Sequence, residues 1–356
     1  EEDIEKALEE EEEQAEDVEE ESELVEETSE GEEVESETEV EEKIKGYGPI
    51  QTMQMFDVIH ENPMPYPACT PILHDELTNE CDTAIYVLSR QAGEGKDRRV
   101  EKGDYLLSDL EEESLKILSD HYKKLILVLN CGGVMDLSIL DKVRIDAVIF
   151  YGQGGMEGGN ALADILIGKV NPSGKLPCSF EAKWEDNPCY ASYHENVDRI
   201  RDPKINPYSR VEYREGLFMG YRGYDKTGVK PLFPFGFGLS YTTFEYSDLQ
   251  IAQDGAEFVV SYNVKNTGKK AGAEVSQVYV KDNEASLVRP EKELKGFEKT
   301  YLKPGETKKV SVRLGEEAFR MFNPIKHQWV VEPGEFTVFV GSSSADLRLT
   351  GKLTVK

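Results

Sequence analysis

Apolar and polar positions fall into different rhythms along the chain. Residues 84–88, Ala-Ile-Tyr-Val-Leu, form a nearly unbroken apolar run of strand length, the pattern of a strand buried on both faces of an α/β sheet. Ser108-x-x-Glu111 is a capping box that opens a helix through about residue 122, with Leu110, Leu115, Ile117 and Leu118 available for its buried side. A second buried strand follows at 125–129. A short helix around 137–140 leads to a third strand at 147–151, and a further helix runs over about 160–167. Helices alternating with apolar strands predict an α/β domain, a mostly parallel sheet with flanking helices, because parallel strands need long crossovers.

From residue 244 onward the period shortens. Strands are predicted over 244–251, 258–264, 275–280, 294–301, 309–314, 336–340 and 347–355, separated by turn signals such as Asn266-Thr-Gly268 and Lys303-Pro-Gly305. Seven short strands at that spacing predict an all-β immunoglobulin-like sandwich. Residues 181–243 show little periodicity and are rich in Tyr, Pro and Gly, as a layer joining two domains would be. The expected organisation is an acidic tract at 1–45, a Pro-rich connection at 46–82, an α/β domain at 83–180, the joining layer at 181–243 and the sandwich at 244–356.

Charge changes this picture at one end only. The 356 residues carry a formal charge of −29, yet residues 1–45 hold 25 Asp and Glu against three Lys, which leaves about −7 for the rest. Within that tract Ile4, Leu8, Val18, Leu24, Val25, Val34 and Val40 are too sparse for an apolar stripe, and like charges four apart repel along any helix. It reads as disordered or marginally helical. The body is mildly acidic and poorly suited to nucleic acid or to anionic membrane surfaces. No apolar run approaches membrane-spanning length.

Cys69, Cys81, Cys131, Cys178 and Cys189 are odd in number and form no close C-x-x-C pair, so free thiols are expected and no zinc or redox motif is indicated. That usage leans towards a cytoplasmic setting and leaves secretion open. The chain opens at Glu1 rather than Met, which reads as a fragment or a processed product.

The leading chemical candidate is Glu94, set between Gly93 and Gly95 directly after the first strand. Flanking glycines let the backbone turn sharply and hold the carboxylate away from its scaffold. A loop at the carboxyl end of a strand is also where open α/β sheets gather their chemistry. A lone Gly-Glu-Gly is equally what a solvated surface loop looks like. A second glycine stretch, Gly152-Gln-Gly-Gly-Met-Glu-Gly-Gly159, lies between strand and helix, but the third position of a dinucleotide fingerprint is Glu157 there, and no G-x-x-x-x-G-K-[ST] occurs. Nucleotide binding is not indicated.

The wider string changes the weight on Glu94. Ser89-Arg90-x-x-Gly93-Glu94-Gly95-x-Asp97-Arg98, closing with Lys102-Gly103-Asp104-Tyr105, resembles the acid/base loop of the family 3 glycoside hydrolases, the β-glucosidase family. Tyr151-Gly-x-Gly154-Gly-x-Glu157-Gly158-Gly-x-Ala161-x-Ala163-Asp164, followed by Asn171-Pro-Ser-Gly-Lys-Leu-Pro177, is similar to a signature of that family's second domain. Tyr213-Arg-Glu-Gly-Leu-Phe-Met-Gly-Tyr-Arg222-Gly-Tyr-Asp225 and Pro231-Leu-Phe-Pro-Phe-Gly-x-Gly-Leu-Ser-Tyr-Thr-Thr-Phe244 look like its linker. The terminal strands resemble its fibronectin type III-like domain.

This resemblance covers about residues 82–356, with its motif blocks in family order. It implies a retaining glycosidase acting on terminal β-linked glucose or a related sugar, through two carboxyl groups about 5–5.5 Å apart. Glu94 matches the general acid/base; Arg90, Asp97 and Arg98 are substrate-loop candidates; Gly93, Gly95 and Glu157 are structural loop residues, Glu157 bonding loop backbone. No metal or organic cofactor is implied, since the chemistry needs two carboxyls and water. The implied partners are a β-linked glucoside or oligosaccharide and a (β/α)8 barrel supplied in cis or in trans. The family's nucleophile, an Asp in a Ser-Asp-Trp type motif on that barrel, has no counterpart in this sequence, nor does the Leu-Pro-Leu segment that usually opens the second domain. The competing readings are a carbohydrate-binding module and a structural module without activity of its own.

Overall fold

The computed structural model describes residue 72 and residues 77–90, 100–192 and 213–356. The expectations for the acidic tract, for most of the Pro-rich connection and for residues 91–99 lie outside the described residues.

The α/β region is built on three parallel strands, β1 (Thr83–Ser89), β2 (Lys124–Asn130) and β3 (Ala147–Phe150), in the order β1-β2-β3. Ala84 pairs with Leu125, Leu88 with Leu129, and Leu127 with Val148. Helix α1 (Asp109–His121) is the crossover between β1 and β2. It starts where the sequence signals it: the Ser108 hydroxyl accepts the Glu111 N–H at 3.3 Å and the Glu111 carboxylate accepts the Ser108 N–H at 2.8 Å, which satisfies two amides that the first turn leaves open. Arg144 closes the other end, donating to the carbonyls of Ser119 and Tyr122 at 2.6 Å each. Between β2 and β3 the expected short helix is a single 3₁₀ turn, Ser138–Asp141. Helix α2 (Gly158–Leu166) follows β3.

One face of this sheet is a closed core. Leu88, Leu125, Leu127 and Leu129 meet Leu115 and Leu118 of α1, with Met135, Ile139 and Phe180 completing the cluster. Each such side chain contributes about 1.5–3 kcal/mol through burial. The opposite face differs from the expectation of a strand buried on both sides: Ile85 and Val87 are 49% and 51% exposed, because successive residues point to opposite faces and no element among the described residues lies over that edge.

The second region is the expected sandwich. Strands β4 (Phe244–Asp254), β5 (Glu257–Asn266) and β8 (Thr307–Leu314) form one sheet in the order β4-β5-β8. Strands β6 (Gly272–Asp282), β7 (Glu293–Leu302), β11 (Gly334–Gly341) and β12 (Leu347–Val355) form the other, in the order β12-β11-β6-β7, and all pairs are antiparallel. The strict alternation over the second half of β8, with Val310, Val312 and Leu314 inward and Lys309, Ser311 and Arg313 outward, shows how period two makes one apolar face. These side chains interlock with Val260, Val264, Val278, Phe336, Val338 and Val340. A short hairpin of β9 (Met321–Asn323) and β10 (Gln328–Val330) is an addition that the strand count did not anticipate.

The Asn171–Pro177 motif works at the junction between the two regions. Asn171 donates to the Ala271 carbonyl at 2.9 Å and accepts from the Tyr241 N–H at 2.8 Å, while Lys175 reaches Glu274 of β6 at 3.4 Å. Helix α3 (Tyr221–Thr227) adds a second tie, since the Tyr221 hydroxyl accepts from Leu294 N–H at 2.8 Å and Asp225 pairs with Lys292 at 2.5 Å.

Candidate functional site

The carboxyl ends of the three parallel strands come together as Ser89-Arg90, Asn130-Cys131 and Tyr151-Gly152. Asn130 donates to the Ser89 hydroxyl at 3.3 Å, and the Arg90 N–H extends the ladder to the Asn130 carbonyl at 3.1 Å. Glu94, Gly93, Gly95, Asp97 and Arg98 lie outside the described residues. Arg90 and Glu157 are the sequence candidates whose surroundings the structure defines, and they sit at different strand ends.

The Arg90 guanidinium is buried against protein. It meets the Glu111 carboxylate in a two-pronged pair at 2.7 and 2.8 Å and donates to the carbonyls of Asp104 at 2.6 Å, Ser89 at 2.8 Å and Leu106 at 3.3 Å. Matching of the planar fork to a carboxylate is the geometry in which an ion pair is strongest. Glu111 is thereby both capping residue and counter-ion.

Glu157 is exposed and accepts from the Asn160 side-chain amide at 2.6 Å, a side-chain partner in place of the loop backbone expected. The glycines around it answer to Tyr151. A Cβ at position 154 would lie 2.2 Å from the Tyr151 hydroxyl oxygen and one at 158 only 1.8 Å from it, so both must be glycine for the tyrosine to lie across the loop. This close approach accounts for the glycine spacing without a phosphate ligand.

A buried polar group was not legible in the sequence. The Tyr105 hydroxyl donates to Glu181 at 3.0 Å, and the Tyr105 ring meets Trp184 edge-on at 4.8 Å. Glu181 is buried, and its second oxygen and the Tyr224 hydroxyl have no hydrogen-bond partner among the described residues. Burial is the main cause that holds the Glu181 carboxyl above its ordinary 4.5; Asp136 adds to the rise, while the nearby backbone, the Tyr105 hydroxyl and the Asn187 side chain oppose it. Burial, and then the Glu181 charge, likewise push the Tyr105 phenol upward. In sequence Glu181-Ala-Lys-Trp184 looks like solvated loop, and no periodic signal marks its glutamate as interior.

Among the described residues no group of three or more His, Cys, Asp or Glu is arranged to hold a metal ion, and Cys81, Cys131, Cys178 and Cys189 are unbridged. No helix among them is long and apolar enough to cross a membrane.

Comparison with known proteins agrees with this architecture. Residues 73–241 match the Glycosyl hydrolase family 3 C-terminal domain, and residues 274–344 match a fibronectin type III-like domain. The chain carries the C-terminal domain of glycosyl hydrolase family 3. Among its relatives, the thermostable β-glucosidase B of Acetivibrio thermocellus is 40% identical over 294 residues, 80% of this chain and 37% of that protein. The structure of β-glucosidase 3B from Thermotoga neapolitana in complex with α-D-glucose superposes with a TM-score of 0.70 at 41% identity, over 78% of this chain and 38% of that one. β-Glucosidase from Kluyveromyces marxianus in complex with glucose gives a TM-score of 0.68 at 36% identity, over 78% and 32% of the two chains. The chain thus spans between about a third and two fifths of the length of these relatives.

Proposed function

We propose that this chain supplies the acid/base part of a retaining β-glycosidase that releases terminal β-D-glucosyl residues, with Glu94 as the acid/base. The observation that carries the reading is the end of β1. A parallel strand in a family 3 domain runs into Arg90, and Glu94 follows four residues later in the chain between two glycines. Relatives named as β-glucosidases, two of them seen with glucose bound, support a glucoside as substrate.

In the first half of the reaction Glu94 donates its proton to the glycosidic oxygen as the bond breaks. A second carboxylate, on a (β/α)8 barrel in cis or in trans, attacks the anomeric carbon from the other side. In the second half Glu94 takes a proton from water, which then displaces the enzyme carboxylate. Gly93 and Gly95 are assigned to the framework of that loop, and Asp97 and Arg98 to substrate contacts. Glu157 keeps a structural role.

The test is hydrolysis of nitrophenyl β-glucoside by the full-length gene product, or by this chain mixed with a related barrel domain. Glu94→Ala is expected to lose on the order of 10²–10⁴-fold on poor leaving groups, far less on activated ones, with azide restoring turnover on the latter. Indistinguishable wild-type and variant profiles would sink the assignment.

A further inference from the structure

A cavity of about 240 Å³ opens where three parts of the chain meet. Ser179 reaches it from the end of the α/β region, Tyr221, Tyr224, Asp225 and Lys230 from α3 and the segment after it, and Ser344 from the turn between β11 and β12. Its walls are held by bonds of their own. Phe235 donates its N–H to the Ser179 hydroxyl at 3.1 Å and accepts from the Ser344 N–H at 2.9 Å, while Phe180 and Phe233 exchange backbone bonds at 2.8 and 3.2 Å. Tyr221 gives one ring face to Phe235, stacked at 5.0 Å, and its hydroxyl accepts from the Leu294 N–H. Gly228, at a φ of +71°, ends α3 and starts the segment that leads to Lys230. Several polar groups of the lining are left over. Tyr224 and Ser344 are each 4% exposed, yet neither hydroxyl has a hydrogen-bond partner among the described residues. The Ser179 hydroxyl accepts from Phe235 and keeps its own proton to donate. Asp225 holds Lys292 at 2.5 Å through one carboxylate oxygen, and Lys230 is exposed and makes no ion pair among the described residues.

We infer that this cavity is a binding site for a neutral monosaccharide. The inference does not rest on the reading of Glu94. Buried hydroxyls without partners are costly, so a ligand that bonds them is favoured over one that only fills space. Tyrosine rings beside hydroxyls suit a molecule with apolar C–H faces and a hydroxyl edge, which is the chemistry of a sugar ring. Among the described lining a carboxylate and an ammonium balance each other, which leaves no net charge to draw an ion of either sign. The volume equals that of about eight waters at roughly 30 Å³ each, room for one ring and too little for an oligosaccharide. Walls fixed in advance by Phe235, Phe180 and Phe233 spare the ligand the cost of ordering them. Because those walls come from the α/β region, the joining layer and the sandwich, a bound sugar also stabilises their junction.

The test is ligand-observed saturation-transfer NMR on the full chain titrated with D-glucose. Glucose is expected to bind saturably with a dissociation constant of about 1–10 mM, the range of a small ligand in a preorganised site. An excess of acetate or inorganic phosphate is expected not to displace it. Ala345 is an exposed member of the lining, so Ala345→Phe narrows the cavity without opening either core and is expected to weaken binding more than about tenfold. Tyr224→Phe and Ser344→Ala delete one hydroxyl each and are expected to weaken it about three- to tenfold, as for one lost hydrogen bond. Circular dichroism melting shows that each variant is folded, and the two hydroxyl deletions decide the matter should the larger side chain disturb the turn. No saturable signal, displacement by acetate or phosphate, or affinity unchanged in the folded variants overturns the inference. Glu94→Ala is expected to bind glucose as wild type does. Loss of binding in Glu94→Ala with none in Ala345→Phe would put the sugar at the acid/base stretch and overturn the cavity assignment, whereas failure of the Glu94 reading is seen only in hydrolysis.

Discussion

The two regions bury their sheets in different ways. In the sandwich, two antiparallel sheets present apolar faces to each other, and the core they share, from Tyr246 on β4 to Leu353 on β12, is closed on both sides. In the α/β region one face of the three-stranded sheet is closed by α1 and the returning loops, while the other buries Val128 of β2 and leaves Ile85 and Val87 of the edge strand β1 half in solvent. The same alternation of side chains therefore has different energetic meaning in the two sheets. Period two decides which residues share a face, but only the element laid over that face decides what the face contributes to stability.

The sharpest way to break this contrast is to open each core. Phe336 on β11 is fully buried between the sheets, and Phe336→Ala is expected to cost about 3–5 kcal/mol. Leu88→Ala, on the closed face of β1, is expected to cost about 2–5 kcal/mol. The chain's two tryptophans separate the regions: Trp184 packs on Tyr105 beside the α/β core and Trp329 stands on the β9–β10 hairpin. Urea unfolding followed in Trp184→Phe and Trp329→Phe backgrounds reads each region by itself. If Phe336→Ala shifted only the Trp184 signal, the two cores would not be the separate units described.

A smaller effect sharpens the comparison from within the α/β region. The Glu181 carboxyl is raised, so the folded state binds its proton more tightly than the unfolded state. Its contribution is favourable at low pH and is lost as pH rises from 4.5 through the folded value. Tyr105, Tyr224, Asp136 and Asn187 face it, and none is a cation. Glu181→Gln keeps an acceptor for Tyr105 and cannot ionise. It is expected to melt above wild type at about pH 8, by less than Phe336→Ala takes away, with the gap closing by about pH 4. A gap that stayed constant with pH would show that the Glu181 charge is already compensated. The sandwich offers no counterpart, since its buried Glu274 has Lys175 and the Tyr246 hydroxyl as partners.

Much of this was legible from residues alone, for identifiable reasons. The capping box at Ser108 and Glu111, the apolar run of β2 and the alternation of β8 are local signals with local causes, and each element stands where those signals put it. The seat of Arg90 was not legible, because apart from the adjacent Ser89 the described partners of its guanidinium are 14 to 21 residues away and a motif shows only that an arginine recurs, not which way it faces. Ile85 and Val87 were read as buried for a related reason: an apolar run reports what a strand can bury, and coverage is a property of other elements. Glu157 found a side-chain partner because Asn160 lies one turn along α2, a neighbour that loop chemistry alone does not announce. Glu181 was missed since nothing in a loop sequence records that Phe180 beside it belongs to the core.

The least disruptive change tests the comparison most directly. Val87 and Leu88 are consecutive residues of β1, opposite Val128 and Leu129 of β2, and their side chains point to opposite faces of the sheet. Leu88 is 1% exposed and packs in the cluster with Leu129 and Leu115, so its truncation leaves a cavity. Val87 has half its surface in water already, so Val87→Ala removes little burial and leaves no enclosed void; a cost below about 1 kcal/mol is expected. Followed through Trp184 in urea, the two variants should differ severalfold in their shift of midpoint at unchanged slope. Equal shifts would mean that Val87 is covered in solution as fully as Leu88, and the contrast between an open edge strand and a closed sandwich would then dissolve.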